Sequence, residues 1–162
     1  MNGKTHLMGG LAACAAVESF TAGSEWSPLF YVGGMIGAFL PDICHVHSTI
    51  GRKLPILSRV ISFLVGHRTF THSLLFLVLI YFIVTFIAPE GTNLVIGLLT
   101  GMISHIILDM ATVRGVKLFF PFPLRVRLPI YIRTGGRFEG FVQVGLLIWL
   151  VVWGYQFIHV WL

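Results

Sequence analysis

Apolar and polar positions alternate along this chain in long blocks. Five blocks are almost wholly apolar: residues 5–20 (THLMGGLAACAAVESF), 28–40, 73–88 (SLLFLVLIYFIVTFIA), 93–111 and 141–162. A helix needs about 20 apolar residues to cross the hydrocarbon core, so the pattern predicts about five spans. The first has its apolar part only from Leu7 to Val17, which suits a tilted or re-entrant helix. Between residues 43 and 70, Leu54, Ile56, Leu57, Val60, Ile61, Phe63 and Leu64 recur among Arg52, Lys53 and Arg59. That mixture predicts an amphipathic helix lying along the membrane surface. Residues 112–137 form a basic loop punctuated by Pro121, Pro123 and Pro129, with a PFPLRVRLPIYI core that suits short extended pieces or a surface helix. The expected fold is an all-α, polytopic integral membrane bundle of about five spans plus one surface helix, in a single domain over residues 1–162.

Composition agrees with the pattern. Hydrophobic residues make up 56% of the chain and charged residues 10%, against roughly a quarter charged in soluble domains. The mean hydropathy is +0.90. A net charge of +5 would suggest nucleic acid as a partner of a soluble protein; here the basic residues read first as topology signals, and no nucleic-acid partner is expected. With the amino terminus in the cytoplasm and five spans, all 11 Lys and Arg residues fall on the inside, while Glu18, Glu25 and Glu90 fall outside. The expectation is a multi-pass protein of the plasma or inner membrane. No cleavable signal peptide is evident, and the two cysteines, Cys14 and Cys44, suggest no disulfide framework.

The candidate chemistry centres on residues 97–109, GLLTGMISHIILD. At helical spacing Gly97, Gly101, His105 and Asp109 stack on one face. Glycines at this spacing allow another helix to approach closely, and an imidazole and a carboxylate one turn apart can grip one cation. In residues 28–42 a small-residue line, Gly34 and Ala38, again leads to a carboxylate, Asp42, with Pro41 ending or kinking the helix. The expected topology brings His6, Asp42, His67, His72, His105 and Asp109 to the cytoplasmic end of the bundle. Ionisable groups in apolar spans are costly and mark functional sites by default. Nitrogen and oxygen donors of this kind suit one or two zinc ions or another divalent transition metal.

The order PDICH at 41–45, GHRTFTHS at 66–73, SHIILD at 104–109 and PF at 121–122, after an early His6, resembles the YdjM-type membrane-bound metal-dependent hydrolases. The resemblance covers roughly residues 1–140. It implies a helical membrane protein with a divalent metal site, and by position it makes His6, Asp42, His72, His105 and Asp109 the ligands. The order of His and Asp is also similar to zinc-dependent phospholipase C and related zinc nucleases. Many members of the family read PDxDH, whereas this chain has Cys44 at the second acidic position. That position therefore reads as dispensable, with zinc ligation by a thiolate as the alternative.

From these residues a hydrolase is expected to act on an ester of an inner-leaflet lipid, preferably a phosphoester. Asp42 is the first candidate for base or bridging ligand and His67 the second. Arg68, Arg133 and Arg137 are candidates to hold phosphate, since a guanidinium gives paired hydrogen bonds. Glu139 joins Arg133 and Arg137 in a polar approach to the last span. Duller readings stand beside these. His6 could be an interfacial helix-start residue, Asp42 a helix terminator, His67 a surface residue, and His45 and His47 simply solvated. Two other functional classes also fit a His and Asp cluster: a non-catalytic membrane scaffold, and a transporter of metal ions or protons.

Overall fold

The computed structural model describes residues 1–21, 26–65 and 69–161; Glu25, His67 and Arg68 lie outside the described residues. Six α-helices account for the regular structure, with no named strand among the described residues. They are α1 (Gly3–Phe20), α2 (Pro28–Phe39), α3 (Pro55–Val65), α4 (Leu74–Ile87), α5 (Thr92–Met110) and α6 (Arg137–Trp161). Two 3-10 turns complete the set, Leu40–Cys44 after α2 and Phe70–His72 before α4.

Local chemistry sets the ends. The Asn2 side chain accepts from the Thr5 amide to cap α1, and Ser73 does the same for Phe76 at the start of α4. Pro28 opens α2, where its missing N–H costs nothing. Pro41 does not stop the chain outright: α2 tightens into the 3-10 turn that carries Asp42. The amphipathic segment forms α3 at Pro55–Val65, with Ile56, Val60, Phe63 and Leu64 exposed along it.

α5 is the hub. Of its most apolar stretch 44% is buried, against 6% for α6, so α5 is central and α6 runs along the rim against α1. The tightest joint is between α2 and α5. A Cβ on Gly37 would lie 2.9 Å from the Leu98 carbonyl carbon and 3.0 Å from the Met102 amide, so the two backbones touch. Phe76, Leu98 and Met102 form the apolar core, with Leu40, Phe70, Leu77, Ile80 and Val84 packed around it.

The basic loop takes extended form rather than a helix. Thr112 pairs with Ile132 in a parallel bridge and Val116 with Val126 in an antiparallel one. The last helix starts at Arg137, four residues before the expected Phe141. Two described helical stretches, Thr92–Met110 and Arg137–Gln156, are long and apolar enough to cross a membrane. Pro28–Cys44 and Leu74–Ile87 are apolar but shorter, and α1, interrupted by Lys4, His6 and Glu18, is not among them. Among the described residues two helices thus have the length and apolarity of a full span, against the five read from the apolar blocks.

Candidate metal centre

Three segments meet beside the lower half of α5. His105 and Asp109 stand one turn apart on α5, Asp42 arrives on the 3-10 turn after α2, and His72 on the turn before α4. The His72 Nε2 lies 3.2 Å from His105 Nε2 and 3.3 Å from Asp109 Oδ2. His105 Nε2 is 3.7 Å from Asp109 Oδ2, and both imidazoles are 3.8 Å from Asp42 Oδ1. A tetrahedral ion with bonds of about 2.0–2.2 Å has ligand-to-ligand edges of about 3.3–3.6 Å, close to this spacing.

The protons decide what the cluster needs. His105 Nδ1 is 2.7 Å from the Ala38 carbonyl oxygen, which can only accept, so Nδ1 carries the proton and Nε2 presents a lone pair. A second chain of bonds runs behind His72. Its Nδ1–H donates to Thr71 Oγ1 at 3.1 Å, the Thr71 hydroxyl donates to Cys44 Sγ at 3.0 Å, and the Cys44 thiol reaches the Pro41 carbonyl at 3.5 Å. In that direction the Nε2 of neutral His72 is also a lone pair. Two imidazole nitrogens and two carboxylates then converge on one small volume, a donor set that either a proton or a metal cation can bridge. Positive charge is drawn there in other forms. The Met1 amino group meets Asp109 Oδ1. Burial works against the His72 imidazolium, but Asp109 and Cys44 outweigh it and push its pKa up to about 9.

His6 lies beside this set. Its ring stacks on His105 at 3.6 Å and 11°, and its Nε2 faces Asp109 Oδ1 at 3.4 Å. Both ring nitrogens are buried without a hydrogen bond. Three of the four clustered groups, His72, His105 and Asp109, are fully buried, and Asp42 is the partly exposed one.

Asp42 also opens onto a cavity of about 440 Å³ whose wall includes His45, Thr112, Arg114, Arg133 and Thr134. Arg133, a candidate phosphate ligand, lines this cavity. Arg137 faces a separate, mainly apolar groove with Tyr131 and Phe138. Glu139, expected at the substrate approach, is instead buried and occupied: it accepts from the Asn2 amide at 2.6 Å, the Thr5 hydroxyl at 2.7 Å and the Gly135 amide. It joins the start of α6 to the start of α1. His67 and Arg68 lie outside the described residues, so their placement is not part of this geometry. Cys44 lies outside the four-residue cluster and is linked to His72 through Thr71. Thr71, Arg114 and Thr134 were missed from the sequence; the one available signal was that Thr71 immediately precedes His72 in the FTH turn.

The YdjM inner membrane protein family profile matches residues 1–162. The chain is 48% identical over 160 residues to the uncharacterized protein YvsG of Bacillus subtilis, covering 98% of both chains. It is 34% identical over 164 residues to the inner membrane protein YdjM of Escherichia coli, covering 93% of this chain and 82% of that one, and the Shigella flexneri YdjM matches equally. No solved structure matches it. A full-length profile match and relatives at 34–48% identity place it plainly: this chain belongs to the YdjM inner membrane protein family.

Proposed function

We propose that this protein is a metal-dependent hydrolase that cleaves a phosphoester of an inner-leaflet membrane lipid. One observation carries the reading: Asp42, His72, His105 and Asp109 present their ligand atoms within 4.8 Å of one another, with the imidazole protons held on the far side of each ring. The mixed nitrogen and oxygen donor set suits a divalent cation of the zinc class. His6, stacked on His105 with unsatisfied nitrogens, is the reserve ligand that would extend the site toward a second ion.

When bound, such a cation supplies Lewis acidity and lowers the pKa of water toward neutrality. The chain's own residues do the rest. Asp42, the one partly exposed member of the cluster, faces the cavity and takes the proton from the attacking water. Arg133 holds the phosphate on the opposite wall. His67 and Arg68 retain their sequence-based roles as auxiliary base and phosphate ligand. His72, His105 and Asp109 are sealed from solvent, which keeps their lone pairs from being hydrated. Under the five-span topology read from the sequence, the distribution of Lys and Arg would put the site on the cytoplasmic side.

The test is elemental analysis of the detergent-purified protein beside His105→Ala, followed by turnover of phospholipid in mixed micelles. The expected result is about one or two equivalents of metal in the wild type, loss of metal and turnover in the variant, and unchanged membrane insertion. Turnover that persists in a metal-free His105→Ala/Asp109→Ala protein refutes the mechanism.

A further inference from the structure

We infer that the cavity beside Asp42 is a phosphate subsite that selects anionic phosphoester headgroups and excludes zwitterionic ones; this deepens the lipid phosphoesterase reading and rests on it for the identity of the reaction. Two arginines reach the cavity from opposite sides of one joint. The Thr112 and Ile132 segments are bridged in parallel, and the Val113 amide donates to the Ile132 carbonyl at 3.2 Å. That pairing fixes Arg114, just after one segment, and Arg133, just after the other, on a common rim. The same wall runs into the metal cluster, because the Thr112 hydroxyl donates to the Asp109 carbonyl at 2.7 Å. Arg114, Arg133 and Thr134 are exposed and line the cavity, so two guanidinium groups and a hydroxyl donor face it together.

The lining states what it refuses as well as what it accepts. Guanidinium groups bind phosphate through paired, charge-assisted hydrogen bonds. A choline or ethanolamine group needs a carboxylate or an aromatic face to stand in for its lost water. Among the described residues lining the cavity, the sole carboxylate is Asp42, which belongs to the cation cluster, and no Trp, Tyr or Phe is present. An ammonium group placed there would meet two guanidiniums instead. At about 440 Å³ the cavity holds a phosphate with a small polar alcohol and leaves acyl chains outside. The class of ligand is therefore a lipid phosphate whose headgroup is anionic, with no ammonium.

The test titrates short-chain dihexanoyl phosphatidate and dihexanoyl phosphatidylcholine onto the detergent-purified full chain by calorimetry, with and without added zinc. Phosphatidate is expected to bind about tenfold or more tightly than phosphatidylcholine. Arg114→Gln/Arg133→Gln is expected to erase that difference while metal content stays at the wild-type level; both side chains are exposed, so the fold tolerates the change. Arg114→Lys/Arg133→Lys keeps the charge and restores part of the preference. Equal affinity for the two lipids in the wild type, or a preference that survives in the double Gln variant, overturns the subsite. Phosphatidate preference in a protein that takes up no metal supports the subsite and separately overturns the hydrolase reading.

Discussion

Gly101→Ala tests the link between helix packing and the cluster most directly. A Cβ at Gly101 would lie 2.8 Å from the Ala38 amide nitrogen and 2.9 Å from the Gly34 carbonyl carbon, where ordinary contact begins at 3.4 Å. The neighbours are backbone and cannot rotate away, and the Gly34 carbonyl oxygen is nearer still, so α2 and α5 must part by at least about 0.6 Å, the difference between 3.4 and 2.8 Å, at a cost of about 1–3 kcal/mol. Ala38 carries the carbonyl that orients His105 at 2.7 Å. Moved by the same amount, that bond stretches to about 3.3 Å, past the normal N–H···O range. Losing the group that fixes a ligand imidazole weakens metal affinity by about tenfold or more. Gly145→Ala is the control: nothing lies within 4 Å of a Cβ there, and alanine in a helix is favoured over glycine by about 0.5–1 kcal/mol. Thermal unfolding in detergent and zinc competition titration read the two effects. If Gly101→Ala melts and holds zinc like Gly145→Ala, the close backbone joint does not position the site.

Asp109→Asn removes the carboxylate that His6, His72 and His105 all face, and is expected to abolish metal retention in elemental analysis while the helical circular dichroism signal remains. Thr71→Val breaks the proton chain behind His72 and is expected to weaken zinc binding about tenfold; Thr71→Ser restores it, which a purely space-filling role would not require. Glu139→Gln loosens the α1 and α6 joint, lowering stability by about 1–3 kcal/mol in thermal melts with metal content unchanged. His72 has its metal-free pKa raised from 6.5 to about 9, so its proton stabilises the folded state fully below pH 6.5, and that stability is lost as pH rises through 9. The melting temperature of chelator-treated protein should fall across that window, and His72→Gln should flatten the slope.

Much of the site was legible because it follows helical periodicity. His105 and Asp109 share a face of α5 by their spacing alone, and the glycines above them mark the face that meets α2. Asp42 was legible because Pro41 ends an apolar helix just before it. Pieces set by long-range contacts were not. Glu139 looks solvent-facing in RFEG, and only the arrival of Asn2 and Thr5 from the far end of the chain buries it. Those bonds also let α6 begin at Arg137 instead of Phe141. Arg114 and Arg137 cannot be ranked from the sequence, since the parallel bridge that brings Arg114 to the cavity leaves no periodic trace. The five apolar blocks each carry a helix, and the turns that hold Asp42 and His72, at 40–44 and 70–72, lie at the edges of those blocks where the apolar pattern gives no shape.

The order in which the ligands are made has a consequence for biogenesis. Asp42, His72, His105 and Asp109 lie on three separated segments, so a nascent chain offers no complete cradle until residue 109 has left the ribosome. If a cation binds as proposed, the segments that carry these residues would be drawn together in a single late event. On that proposed reading, ion supply at that moment, rather than the hydrophobicity of any one helix, would decide which new chains mature.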